Sequence, residues 1–331
     1  MAANTEIDVL GLGNAIMDAI VPVEDAFLGA ENIEKGGMTL IDRPRALQLD
    51  KALKKAGERR EIAGGSAANT IAGVAELGLR AAYMAKIGDD ATGRRFVKEF
   101  DAAGVHFVTK PLEGGATSRC LIAVTPDGER SMNTFLGAST AFAKRDVVTD
   151  LIRRSKVLYL EGYLFDMDAA KAAFVKAAQI AQKAGRKVSI TLSDDFCVAR
   201  HREDFRAFVD NHVDILFANE TELLSLYETD SIDAALDMHV KTGKVVCVTR
   251  SEKGSVIQDA DRRYFVRPVA VDKLVDTTGA GDQYAAGVLA GYAMGLDWAD
   301  AGHLGSLCAA EVISHYGARP EKSLHALAIG A

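Results

Sequence analysis

The sequence predicts a doubly wound α/β fold on a mainly parallel sheet, with a small β-lid beside it. Two observations predict the main fold and a third predicts the lid. Short β-branched runs alternate with longer helical patterns along most of the chain. Hydrophobic residues make up 48% and charged residues 26% of 331, an ordinary balance with ample material for a core. Two stretches then break the rhythm, and the economical reading folds both over one edge of the main sheet.

Ile7 to Gly11 ("IDVLG") reads as the first strand. The first interruption follows, "IVPVEDAFLGAENIEKGGMTLID". Asn69 to Leu77 reads as a helix stopped by Gly78, and "AAYMAKIG" as the next strand. The second interruption, "TSRCLIAVTPDGERSMNTFLG", alternates apolar and polar residues around Pro126-Asp127-Gly128 and predicts a β-hairpin. "KVLYLE", "KVSIT", "DILFA" and "KVVCVT" are compact strand-like runs, separated by helical stretches such as "DAAKAAFVKAAQIAQKAG", capped by Gly185. The implied division is a main domain over approximately 1–13, 43–110 and 140–331, and a lid over approximately 14–42 and 111–139.

The bulk composition excludes several functions. A formal net charge of -7 argues against a nucleic-acid partner, which needs a basic face. No apolar run reaches the length of a membrane span, and "MAANTEIDVLGLG" lacks the basic start and apolar core of a signal peptide. Cys120, Cys197, Cys247 and Cys308 are scattered and read as reduced thiols. A cytoplasmic protein acting on a small molecule is the expectation, as a monomer or a homodimer.

The familiar nucleotide motifs fail. Gly11-Leu-Gly13 follows a strand, but Ile16 stands where a dinucleotide fingerprint needs its third glycine. Neither a G-x-x-x-x-G-K-[ST] loop nor the protein-kinase set occurs. Another stretch supplies phosphate chemistry. Thr278-Gly279-Ala280-Gly281 leads into a helix whose first backbone N–H groups lack intrahelical partners, a setting suited to a phosphoryl group. Asp282 in the first turn repels phosphate; it is either the base that takes a proton from an attacking hydroxyl or an acid serving the helix dipole. A second loop, "EIAGGSAAN", places Gly64 and Gly65 at another helix entrance with Asn69 one turn in. It suits a polyhydroxylated ligand, or simply a tight turn. Asn14 and Asp18 are four apart, on one face if the segment is helical, and could converge on vicinal hydroxyls.

"GGSAAN" and "DTTGAGD" together resemble the two signatures of the ribokinase-like (PfkB) carbohydrate kinases, in the same order and separation, over nearly the whole chain. The resemblance implies ATP-dependent phosphorylation of a sugar or nucleoside hydroxyl, Mg²⁺ dependence, and an α/β domain with a β-lid. It implies Asp282 as general base, Gly279, Ala280 and Gly281 as the anion hole, and Asp18, Gly65 and Asn69 as sugar contacts. Asn219-Glu-Thr-Glu222 resembles the motif that organises Mg²⁺ through water, and is equally a capping box; the two readings are compatible. Thr249, Gly254 and Thr278 resemble positions near the nucleotide phosphates, and "AGHLGSLCAAEVISHYGARP" resembles the segment flanking adenine, with His303 and Gly317 as candidates. A lone histidine such as His303 is as readily structural. K⁺ near the anion hole is a further cofactor that the resemblance suggests.

Within the family the chain most resembles the branch that phosphorylates the 5′-hydroxyl of adenosine. That rests on "GLGNAIMDAIV", "ERSMNTFLGAST", "VLYLEGYLF", "LSDDFCV" and "VDILFANETEL". A purine needs a flat apolar slot, and Ile16, Leu40, Phe135, Leu136, Tyr163 and Phe196 are available for one, Phe196 being equally a core residue. Thr278 and Gln283-Tyr284 depart mildly from the family pattern, with Gln283 facing away from the substrate. Another purine nucleoside or a free sugar therefore stays open as substrate, and a nucleoside-binding sensor stays open as a non-enzyme.

Overall fold

The computed structural model describes residues 6–330; residues 1–5 and 331, which the sequence assigns to the main domain, lie outside the described residues. Fourteen strands run in chain order: β1 (Ile7–Leu12), β2 (Ile16–Pro22), β3 (Met38–Leu40), β4 (Arg60–Gly64), β5 (Ala81–Met84), β6 (Val105–Val108), β7 (Ser118–Val124), β8 (Arg130–Phe135), β9 (Ser155–Glu161), β10 (Lys187–Thr191), β11 (Ile215–Asn219), β12 (Val245–Thr249), β13 (Ser255–Gln258) and β14 (Arg263–Val266). The helices are α1 (Asp25–Ala30), α2 (Arg43–Ala56), α3 (Ser66–Glu76), α4 (Ala91–Ala102), α5 (Thr149–Arg154), α6 (Asp168–Lys183), α7 (Asp195–His212), α8 (Glu220–Tyr227), α9 (Ile232–Val240), α10 (Ala280–Met294), α11 (Trp298–Val312) and α12 (Leu324–Gly330).

Nine strands form one sheet in the order β14-β13-β12-β11-β10-β9-β1-β5-β6. It is parallel from β12 to β6; β13 pairs antiparallel with both β12 and β14, so β13 runs against the other strands. Both faces are covered. Leu10 and Leu12 of β1 pack toward Phe174 and its neighbours on α6, while Val9 packs toward Ile71 of α3 and Leu289 of α10. Burial on both sides is why these strands read as unbroken apolar runs. Strand order reverses at β1, between β9 and β5. In open sheets of this kind, the crevice beyond the carboxyl ends at such a switch is where ligands sit.

A second, five-stranded sheet has the order β3-β8-β7-β2-β4. The expected hairpin is present as antiparallel β7 and β8. The smaller layer takes in more chain than the sequence suggests. β4 pairs with β2, and Leu49 and Leu53 of α2 cover Ala19, Val21, Leu121 and Ala123, so residues 43–64 join this sheet instead of the main one. The other correction concerns Asn14 and Asp18. Residues 16–22 form a strand, with Met17, Ala19 and Val21 buried on alternate positions, so the helical face expected for the pair does not exist. Period-two burial under β-branched neighbours outweighs the short-range helical spacing. Among the described residues no helix is long and apolar enough to cross a membrane.

Candidate active site

The loop before α10 is shaped by glycine. Gly279 has φ 79°, and a Cβ there would lie 2.5 Å from the Cβ of Ala318. Any side chain would be both strained and crowded. At Gly281 an added Cβ would meet nothing within 4 Å, so that glycine opens onto space. The N–H groups of Gly279, Gly281 and Asp282 find no acceptor among the described residues. The helix therefore starts with free donors and its positive end directed at the crevice.

Asp282 joins the two glycine loops. Ser66 Oγ donates to its Oδ1 at 2.7 Å and Asn69 Nδ2 to its Oδ2 at 3.0 Å. Burial pushes the carboxyl up to about 6, against the bonds from Ser66 and Asn69 and the charge of Arg319. It stays ionised near neutrality while keeping appreciable basicity, the balance a proton acceptor needs.

Ladder register places Asp18 of β2 level with Cys120 of β7, which is level with Thr134 of β8, which is level with Leu40 of β3. Ile16 shares that face by the alternation of the strand. A Cβ on Gly64 would lie 2.5 Å from Asp18 Oδ2, so the glycine makes room for the carboxylate. Among the described residues nothing donates to Asp18, and burial pushes it up to about 7 despite the nearby charges of Arg130 and Arg319. Gly65 has φ 107°, at the entrance to α3.

Asn14 lies elsewhere. Its Nδ2 donates to Glu161 Oε1 at 2.5 Å, and the other carboxylate oxygen accepts from Ala67 N at 2.9 Å. Asn14 is therefore spent on structure and does not converge with Asp18. Glu161, at the carboxyl end of β9, is 1% exposed and pushed by burial up to about 7. Sequence reasoning missed it, although an acidic residue ending an apolar strand was the available signal.

Three hollows surround these residues. One of about 340 Å³ holds Asp282, Gly279, Gly281, Tyr163, Asn219 and Glu222. A second, of about 520 Å³, shares Thr249, Ala280, Gly281 and Tyr284 with it and is otherwise walled largely by apolar groups such as Val269, Leu274, Ala309 and Ile313. Gly254 lines this one. His303 does not: it is on the exposed side of α11, because Ser306, Ala309 and Ala310 take the inner side. Gly317 also lies outside, its N–H spent on Asp276 Oδ2 at 2.9 Å. Thr278 donates to the other Asp276 oxygen from N at 3.0 Å and Oγ1 at 2.6 Å. Arg130 of β8 pairs with Asp276 at 2.5 Å, which ties the smaller sheet to this loop.

The third hollow, of about 440 Å³, gathers Leu40, Phe135 and Leu136 with Thr134 on its wall. Tyr163 is instead beside Asp282, and Phe196 is 73% exposed. Neither belongs to this apolar slot. Asn219 and Glu222 form a reciprocal cap: Glu222 N donates to Asn219 Oδ1 at 2.8 Å and Asn219 N to Glu222 Oε2 at 3.0 Å. Asn219 Nδ2 occupies the remaining oxygen at 2.8 Å. The donor set thus suits a hydrated cation better than direct ligation, and the described residues hold no group of three or more acidic, histidine or cysteine side chains placed for a metal.

Known proteins resemble this chain over most of its length. The description "pfkB family carbohydrate kinase" matches residues 30–324. An adenosine kinase of Saccharomyces cerevisiae is 27% identical over 325 residues, covering 92% of this chain and 94% of the relative. The crystal structure of adenosine kinase from Sinorhizobium meliloti superposes with a TM-score of 0.90 at 47% identity, covering 98% of this chain and 99% of that one. A probable sugar kinase protein from Rhizobium etli also superposes at 0.90, with 45% identity and 98% of both chains covered. The chain belongs to the PfkB family of carbohydrate kinases, with the ribokinase-like fold, and is a phosphotransferase that uses an alcohol group as acceptor.

Proposed function

We propose that the enzyme transfers the γ-phosphate of ATP to the 5′-hydroxyl of adenosine, giving ADP and AMP. The observation that carries the reading is Asp282, held by both glycine loops at a helix start with free amides, and raised to about 6. The hydroxyl gives its proton to Asp282 as its oxygen bonds to the γ-phosphorus and the bond to ADP breaks. The free amides of Gly279 and Gly281 stabilise the charge on the phosphoryl group in transit, whereas Ala280 N is spent on Thr277 O at 3.1 Å. The ribose is held by Asp18, Gly64, Gly65 and Asn69. The purine lies along the sheet face that carries Ile16 and Leu40, in the slot of Phe135 and Leu136. ATP places its adenine in the apolar hollow beside Thr249 and Gly254, with Gly281 near its phosphates, while Thr278, bonded to Asp276, lies outside that hollow. Mg²⁺, when bound, would offset phosphate charge, and Asn219 and Glu222 are the residues that would hold it, through water.

The free-sugar reading keeps one observation of its own, the equal structural likeness to the Rhizobium etli probable sugar kinase protein. ADP release with Mg-ATP against adenosine, inosine, guanosine, cytidine, ribose and fructose separates them. Adenosine leading by an order of magnitude or more in kcat/KM supports the proposal. A leading sugar leaves the chemistry standing and removes the substrate assignment. Adenosine binding without ADP release removes the enzyme reading. Exchanging K⁺ for a bulky organic cation in the same assay tests monovalent-cation activation.

A further inference from the structure

The segment Gly317–Arg319 plays no part in that reaction scheme, yet it touches both glycine loops. Gly317 holds Asp276, and Ala318 abuts Gly279. Ala318 O accepts from Gln283 Nε2 at 3.0 Å, and the same amide donates to Asn69 O at 3.2 Å. Arg319 then reaches the other loop: its Nε and Nη2 donate to Ala63 O at 3.2 and 2.8 Å, the carbonyl just before Gly64-Gly65. Its guanidinium sits 5.2 Å over the ring of Phe100. Among the described residues no carboxylate lies within ion-pair distance of it, although Asp18, Asp282 and Glu99 are within electrostatic reach. A half-buried cation gripped by a carbonyl and a ring, and left without a counter-ion, is costly unless its charge is used.

We propose that Arg319 is a positioning residue for phosphoryl transfer: through the Gly317–Arg319 strap it pins the Gly64-Gly65 loop to the Asp282 loop and supplies a fixed positive charge to the acceptor side of the cleft. The inference rests on Asp282 being the base. Asp282 is faced by Asp18 from β2, Tyr83 from β5, Tyr159 and Glu161 from β9, Tyr163 after β9, and Glu222 from α8. Every one of these is neutral or negative near neutrality. Arg319 is the cation that opposes them, and its loss makes Asp282 harder to ionise.

The test is the pH profile of kcat/KM for the wild type, Arg319→Gln and Arg319→Lys. Arg319→Gln keeps amide donors for Ala63 O while removing the charge, so it guards against a simple folding failure. The wild type is expected to rise through an acid limb near pH 6. In Arg319→Gln the limb moves up by about 1 pH unit, a loss of about fivefold at pH 6 that largely recovers at pH 8.5. Arg319→Lys keeps the limb in place and loses turnover evenly across pH, because its point charge cannot grip the carbonyl twice. An unmoved limb in Arg319→Gln, whatever its plateau, overturns the inference and leaves the base assignment intact. A wild type with no acid limb overturns the base assignment, and the role of Arg319 falls with it.

Discussion

The two glycine loops look alike in sequence and are built for opposite reasons. At Gly64 the missing side chain leaves room for another part of the protein, since a Cβ would meet the Asp18 carboxylate at 2.5 Å. At Gly281 it leaves room for nothing in the chain, since a Cβ would meet no atom within 4 Å. One loop is packed around a carboxylate; the other, though crowded by Ala318 at Gly279, stands open at Gly281. A doublet of glycines at a helix entrance thus carries two meanings, and only the neighbours tell them apart.

The sharpest way to break the comparison is at the residue that joins the loops. Asp282→Asn is expected to lower kcat by roughly 10²–10⁴-fold while largely sparing nucleoside binding. Near-normal turnover would end the general-base assignment. The same variant should be more stable at pH 7.5, by on the order of 1 kcal/mol, because a buried charge is removed. The amide of Asn69, whose Oδ1 has no donor, can turn over to accept from the new side chain.

Next come the glycines themselves. Gly281→Ala is expected to slow turnover by about tenfold to a hundredfold through misplacement of the phosphoryl group. Its melting temperature should stay close to that of the wild type, since nothing in the free protein is crowded. Gly64→Ala should do the reverse: a stability loss of about 1–3 kcal/mol from overpacking, read by denaturant unfolding, and a raised nucleoside KM with a smaller change in kcat. Equal behaviour of the two variants would erase the distinction.

A subtler effect concerns pH. Asp18, Glu161 and Glu222 are raised to about 7, and Asp282 to about 6, all by burial. Folded values above the ordinary carboxylate range mean that the folded protein binds these protons more tightly than the unfolded chain. Their contribution to stability is fully present below about pH 4 and is lost as pH rises toward 7. Unfolding free energy of the ligand-free protein should therefore fall between pH 5 and pH 7.5, and a rise across that window would contradict the burial of these groups. The smallest effect is the control: His303→Ala, exposed and outside the apolar hollow, should leave the KM for ATP unchanged.

Much of the site is legible in the chain itself, because its signals are local. The strand runs, the hairpin turn, the two glycine doublets, Asp282 and the Asn219–Glu222 cap are each contained in a few adjacent residues. The failures share a different cause. Asn14 and Asp18 look paired along the sequence, yet a strand with period two and a buried Glu161 separate them. His303 and Gly317 share a segment with Ser306, Ala309 and Ala310, which line the apolar hollow, but helix rotation and a bond to Asp276 take them from it.

By itself the sequence determined the alternation of strand and helix, the family signatures and the acid that ends the second loop, since backbone periodicity and turn chemistry are written in neighbouring residues. Only the tertiary structure decided which partners set the charge of that acid. Ser66 and Asn69 lie more than two hundred residues before Asp282, and Arg319 reaches back over 256 residues to Ala63. Hydrogen bonds and Coulomb forces act over a few ångströms of space, and the separation of residues along the chain does not enter them.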